Sequence, residues 1–141
     1  MATKKFAWDK SLAVGISTVD EQHKIWIERL NTLAEVIDSK QEAAHITKTL
    51  NFMMAYIEFH FSAEESLMEM HKYHRLPQHQ AEHQHFREAV MDLLALKMEQ
   101  PGAVRQLADS INHFQIRWLK NHIQEADRQF AEYLHGTKVL A

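Results

Sequence analysis

Long stretches of helical apolar periodicity, separated by very few helix-breaking residues, constrain the fold more than any other feature. The sequence contains only three glycines and two prolines, and apolar residues recur every three or four positions over four long segments. A short connection at Tyr73–Leu76 precedes Pro77, and Pro101-Gly102 separates the last two segments. Short connections force neighbouring helices to run antiparallel. The sequence therefore predicts an all-α protein, an up-down-up-down antiparallel four-helix bundle.

The predicted bundle extends from about residue 18 to about residue 135. Residues 1–17 show no helical period and are interpreted as an N-terminal arm. Phe6 and Trp8 of this arm are expected to pack onto the bundle, because exposed aromatic rings are unfavourable. A chain of 141 residues fits one hydrophobic core, so residues 1–141 are predicted to form a single domain.

Two capping signals predict where the first two helices begin. Thr18 and Glu21 have the spacing of a capping box, in which each side chain accepts a backbone N–H of the first turn. Ser39 and Glu42 repeat this spacing before the second apolar segment. The first helix is therefore expected to start at Thr18 and the second near Ser39.

Composition argues against several functional classes. Sixteen basic and 19 acidic residues give a net charge of -3, and no basic stripe indicates nucleic acid or an anionic membrane as a partner. No segment approaches the roughly 18 apolar residues that a membrane span requires, and the N-terminal residues do not have the pattern of a secretory signal. Cysteine is absent, which removes disulfides and thiolate ligands and, with the rest, predicts a cytoplasmic location.

Ionisable residues interrupt the apolar stripes at positions that the helical period assigns to the core. These residues are His23, His60, Glu64, His79, His83 and His122. Burying an unpaired ionisable group is expensive, so six inward-facing groups need a shared partner, and a metal centre supplies one. Two pairs have the i,i+4 spacing that places both members on one helix face. The sequence therefore predicts a metal site inside the bundle.

Asp127 is harder to assign to this site. It follows His122 by five residues, which corresponds to about 140° of rotation on a regular α-helix and does not align the two side chains. Either the two residues reach the centre from flanking directions, or a local π turn widens the helix between them. A regular helix with Asp127 facing solvent would remove this residue from the predicted ligands.

Three motifs follow one another along the chain. They are His60 and Glu64 in HFSAEESLM, His79 and His83 in HQAEHQHF, and His122 and Asp127 in WLKNHIQEAD. Trp8, Gly15 and the stretch DEQH at 20–23 precede them. In all these residues the chain resembles hemerythrins over nearly its whole length, and most closely their bacterial single-domain members. Hemerythrins are themselves examples of the up-down-up-down bundle, so the topology is not independent evidence.

The resemblance implies a non-haem di-iron centre with a definite division of ligands. One iron would be bound by His79, His83 and His122, and the other by His23 and His60. The two irons would be bridged by Glu64, Asp127 and an oxo or hydroxo group. The iron with two histidines then keeps an open position, which a ligand-binding metal site needs. The same ligand types also suit manganese, cobalt or zinc.

The function that the resemblance implies is reversible binding of dioxygen, for oxygen transport, storage or delivery, without enzymatic activity. An oxygen-consuming protein could be the recipient. Holding dioxygen without further reaction requires an apolar pocket, and large side chains near the ligands are candidates for its walls, although ordinary core packing explains them equally well. The candidates are Trp26, Phe61, Phe86, Trp118, Leu119 and Ile123.

Three alternatives remain open at this point. The same centre would serve an oxygen or redox sensor or a peroxide-consuming protein. A ferritin-like oxidase would instead use Glu-x-x-His pairs, and this sequence has three such pairs, near helix ends or away from the apolar line. They are Glu42/His45, Glu82/His85 and Glu132/His135. The third alternative is a structural bundle that holds zinc or no metal.

Overall fold

The computed structural model describes residues 6–39, 42–97 and 104–140, and these form helices without any strand. Three helices are α1 (Ser17–Asp38), α2 (Ala43–Met70) and α3 (Leu76–Lys97). The fourth consists of α4 (Val104–His122), a π turn (Ile123–Asp127) and α5 (Arg128–Leu140), and so extends beyond the predicted end near 135. The predicted all-α four-helix bundle is confirmed. Pro101-Gly102, predicted to separate the last two helices, lies outside the described residues.

The helices pack around a shared apolar core. Helix α1 contacts α2 and α4, and α3 contacts the same two helices from the other side. Each helix contributes large side chains that are fully buried, such as Leu30, Phe61, Phe86 and Ile111. Burial of one such side chain stabilises the fold by about 1.5–3 kcal/mol. These four side chains lie at positions that the helical period assigns to the core, whereas Phe114 and Trp118 of the fourth apolar stripe are only partly buried.

The capping box predicted at the start of α1 is wrong. The residue before the helix is Ile16, whose side chain makes no capping hydrogen bond. Asp20 of the first turn instead accepts the backbone N–H groups of Val14 (2.9 Å) and Gly15 (3.1 Å). A carboxylate at this end is also favoured by the helix dipole. The preceding turn of the arm, rather than Thr18, thus supplies the polar contacts at this helix start.

The second capping prediction is also wrong. Ser39 ends α1, where its hydroxyl donates to the carbonyl of Val36 at 3.0 Å. Helix α2 begins at Ala43, and the side chain of the preceding Glu42 makes no capping hydrogen bond. Serine favours both helix ends because its hydroxyl competes for nearby backbone groups, and the spacing alone did not distinguish the two uses.

The arm lies against the bundle, as predicted for its aromatic residues. Phe6 and Trp8 are partly buried against the core, and Phe6 exchanges two hydrogen bonds between its backbone and the Asn31 amide, at 2.8 and 2.7 Å. The arm also contains a 3₁₀ turn (Lys10–Leu12) that the sequence did not predict. Gly15 has a φ of +85°, a backbone conformation that favours glycine over residues with a Cβ.

In the part of the chain that the structure describes, no helix combines the length and the apolar character needed to cross a membrane.

Candidate metal centre

The seven residues predicted as metal ligands meet in the middle of the bundle, and each is at most 3% exposed. Every one of the four bundle helices contributes at least one of them. They are His23 on α1, His60 and Glu64 on α2, His79 and His83 on α3, His122 on α4 and Asp127 in the π turn. Such a concentration of buried ionisable groups at one level is far from ordinary core composition.

Glu64 faces two separate groups of histidines with its two carboxylate oxygens. Oε1 lies 2.5 Å from Nε2 of His79, 3.2 Å from Nε2 of His83 and 3.6 Å from Nε2 of His122. Oε2 lies 3.2 Å from Nε2 of His60 and 3.8 Å from Nε2 of His23. One oxygen therefore belongs to a group of three histidines and the other to a group of two.

Asp127 repeats this division. Its Oδ1 lies 3.1 Å from Nε2 of His79 and 3.1 Å from Nε2 of His122, both in the group of three. Its Oδ2 lies 3.0 Å from Nε2 of His23, in the group of two. Two carboxylates that each present one oxygen to each histidine group have the arrangement of ligands that bridge two metal ions.

The π turn explains how Asp127 reaches the site. Of the two arrangements considered for the five-residue spacing, the structure has the π turn, at Ile123–Asp127. The wider turn places His122 and Asp127, both buried, on the same side of the fourth helix. Isolated π turns inside α-helices occur frequently at functional sites.

The donor atoms at this centre are suited to hold metal ions. The inward-facing Nε2 atoms of His23, His60 and His122, Oε2 of Glu64 and both carboxylate oxygens of Asp127 are buried and have no hydrogen-bond partner. Several of these atoms lie near an oppositely charged group, but the angles between them are not those of a hydrogen bond. Buried polar atoms without partners are rare in folded proteins, and metal coordination would satisfy all of them. The mixed imidazole and carboxylate set fits iron.

Comparison with known proteins identifies the family. The family described as "Hemerythrin HHE cation binding domain" matches residues 14–134. The chain belongs to the hemerythrin family. It is 32% identical over 125 residues to the bacteriohemerythrin of Stenotrophomonas maltophilia, and the matched region covers 89% of this chain and 78% of that protein. It is 26% identical over 132 residues to the bacteriohemerythrin of Clostridium acetobutylicum (90% and 99% covered) and 30% identical over 125 residues to the hemerythrin-like protein of Naegleria gruberi (89% and 90%).

The hemerythrin motifs in this chain supply the inward-facing atoms, and other residues hold the outer ring nitrogens. The Nδ1 atoms of three site histidines each lie near a polar side chain whose role as a partner the sequence did not predict. The pairs are His60 with Gln22 at 2.7 Å, His83 with Glu65 at 2.7 Å and His122 with Glu82 at 3.1 Å. Contacts of this kind fix the ring orientation and the tautomer of a ligand histidine. All three partners adjoin predicted ligand residues in sequence, but only the packing of the helices shows which histidine each one reaches.

The protonation of this hemerythrin centre is set by competition between burial and charge. Burial alone lowers the pKa of His23, but the carboxylates of Asp127 and Glu64 outweigh it and raise the pKa to about 9. The pKa of His79 is raised to about 9 for the same reasons. Burial raises the carboxyl pKa of Glu64, yet the histidines, His60 foremost, outweigh it and hold that pKa well below its usual range. Metal ions must therefore displace protons from these histidines when they bind.

Aromatic rings cover one side of the hemerythrin site. Phe61 stacks on His83 with ring centroids 3.9 Å apart, and Trp118 stacks on His122 at 4.3 Å. The ring of Trp26 lies 5.7 Å from that of His60. Phe86 contacts three of these predicted wall residues, namely Trp26, Phe61 and Trp118. Leu119 and Ile123 are fully buried, and their place in the pocket wall stays a prediction.

The structure does not support the ferritin-like alternative, because its candidate ligands do not meet in the core. All six residues of the three Glu-x-x-His pairs are exposed. Glu82, from one of these pairs, lies beside Nδ1 of His122 instead, on the outer side of the hemerythrin centre. Exposed pairs at separate places on the bundle do not form a shared metal site.

Proposed function

We propose that this protein binds dioxygen reversibly at a non-haem di-iron centre, as a carrier, store or delivery protein rather than an enzyme. One observation carries the proposal: Glu64 and Asp127 each direct one carboxylate oxygen toward each histidine group. The membership in the hemerythrin family supports it. When bound, the iron pair supplies the reversible exchange of electrons with dioxygen.

In this proposal, the two histidine groups each hold one iron. The group formed by His79, His83 and His122 would offer its iron three imidazole nitrogens, and the group formed by His23 and His60 would offer only two. Glu64 and Asp127 would each offer one oxygen to each iron. The group of two histidines would therefore leave more room for a small ligand, and open positions distinguish ligand-binding metal sites from closed structural ones.

The protein's own contribution is to orient the ligands and to exclude water. Gln22 holds the ring of His60, in the group of two histidines. The rings of Trp26, Phe61, Phe86 and Trp118 form a contiguous apolar cover. A dry pocket slows side reactions that need protons or water, and retention without onward reaction is what a carrier requires.

The test is iron content together with visible absorption, on protein reduced without air, exposed to oxygen and then degassed. We expect about two irons per chain, as the two ligand groups imply, and a colour that appears in oxygen and fades on its removal. A colour that does not reverse would favour the alternative roles, an oxygen or redox sensor or a peroxide-consuming protein. Absence of iron binding would contradict the di-iron proposal. The cytoplasmic location and an oxygen-consuming recipient protein stay predictions.

A further inference from the structure

Two buried polar side chains on α4 have no part in the metal centre. Asn112 and Gln115 are both fully buried among apolar core residues. Burial of an amide is unfavourable unless its groups find partners. Their burial is therefore stable only where each amide group has a hydrogen-bond partner.

The two amides form a hydrogen-bonded chain that ends on Trp26. Asn112 Nδ2 donates to the backbone carbonyl of Leu30 at 3.1 Å. Gln115 Nε2 donates to Asn112 Oδ1 at 2.7 Å and lies 3.0 Å from the sulfur of Met53. The indole Nε1–H of Trp26 donates to Gln115 Oε1 at 2.8 Å.

The direction of this chain is fixed by its two ends. The carbonyl of Leu30 can only accept a hydrogen bond, and the indole of Trp26 can only donate one. Asn112 must therefore turn its NH₂ group toward Leu30, and Gln115 must turn its oxygen toward Trp26.

Trp26 connects this chain to the site. Its ring is fully buried and lies 5.7 Å from the ring of His60, in the group of two histidines. On their own helices, Leu30, Met53 and Gln115 each lie two helical turns, about 10 Å, from the site histidine of that helix. The indole N–H thus bonds within a core layer away from the metal centre, while the ring faces the site.

We propose that Gln115, oriented by Asn112, is a positioning residue that turns the Trp26 N–H away from the pocket and presents only ring carbons beside His60. This proposal rests on the proposed dioxygen function. An unpaired N–H next to dioxygen held in the pocket would promote its loss as hydrogen peroxide, which removes two electrons from the iron pair and two protons from the surroundings and leaves both irons ferric. Gln115 suppresses this autoxidation.

The first arm of the test does not use iron or oxygen. In the zinc-loaded full chain, the ¹⁵N-labelled indole resonance of Trp26, assigned with Trp26→Phe, should show a hydrogen-bonded shift and slow exchange with solvent. Gln115→Leu should remove both features, and Gln115→Met serves if the leucine variant folds poorly. Gln84→Leu, at an exposed glutamine of α3, is the control and should leave the resonance unchanged. An unchanged resonance in both Gln115 variants would overturn the hydrogen-bond assignment.

The second arm measures autoxidation of the iron-loaded, oxygenated protein. Gln115→Leu should accelerate it several-fold, and Gln84→Leu should not. In a Trp26→Phe background, which has no indole N–H, Gln115→Leu should add nothing. An equal acceleration in both backgrounds would mean that Gln115 acts through packing alone and would overturn the proposal. If the unmodified protein does not bind oxygen reversibly, both the proposed dioxygen function and the protective role of Gln115 are contradicted. The first arm still decides the orientation of Trp26.

Discussion

Glu65 lies 2.7 Å from Nδ1 of His83 and thereby fixes which ring nitrogen of His83 faces the metal centre. Removal of such an outer partner typically weakens metal binding by about 10- to 100-fold. We expect Glu65→Ala to lower metal affinity by this order, measured by competition with a chelator. Glu69→Ala, at an exposed position one turn further along α2, is the matched control. Equal affinities of the two variants would show that Glu65 does not support His83.

The π turn provides a test of the role of Asp127. Deletion of Gln124 would shorten the spacing from His122 to Asp127 to i,i+4, which a regular α-helix aligns on one face. We expect this variant to fold, with a melting temperature of the metal-free form no lower than that of the parent, because the regular hydrogen-bond ladder is restored. The carboxylate would be displaced along the helix, so metal content should fall. Retention of the full metal content would show that the π turn is dispensable for the site.

Trp118 stacks on His122 and is only half-buried, so it stands between the site and solvent. We expect Trp118→Ala to speed autoxidation by about tenfold, which corresponds to a barrier lower by about 1.4 kcal/mol. The decay of the oxygenated spectrum measures this rate. Phe114→Ala is the control, because Phe114 packs on Phe86 at the same helix face. An oxidation rate in Trp118→Ala no faster than in the control would remove Trp118 from the pocket wall.

The raised pKa values of His23 and His79 predict opposite effects of pH on the metal-free and loaded forms. A histidine with a pKa raised from 6.5 to about 9 stabilises the fold fully below pH 6.5, and that stabilisation is lost as pH rises to about 9. The melting temperature of chelator-treated protein should therefore fall over this range. Metal binding requires these rings without the extra proton, so it should strengthen over the same range.

The measurement is thermal unfolding with and without metal at several pH values between 6.5 and 9. The gap between the two melting temperatures should widen as pH rises. His79→Gln should flatten the decline of the metal-free form, whereas His45→Gln, at an exposed position, should not. A constant gap across this range would contradict the coupling of metal binding to proton release.

Asp127 was assigned only through the resemblance to hemerythrins, but sequence periodicity was sufficient for the helical class, most buried positions of the helices and the other six residues that meet at the centre. These follow from local rules, since a period of 3.6 residues and the spacing of His60 and Glu64 act within one helix. The capping boxes predicted at Thr18 and Ser39 rested on local spacing alone, and both predictions were wrong. Neighbouring backbone and side-chain groups compete for the hydrogen bonds at a helix end. The fold of the arm brings the backbone N–H groups of Val14 and Gly15 to Asp20.

The tertiary structure sets the relationships between helices. It selected the π turn for Asp127, divided the oxygens of Glu64 between two histidine groups, and paired Gln115 of the fourth helix with Trp26 of the first. These contacts join residues far apart in sequence, and they depend on the rotation and axial position of each helix in the packed core. Periodicity shows which face of a helix is buried, but it does not show which atoms on two buried faces come within hydrogen-bonding distance.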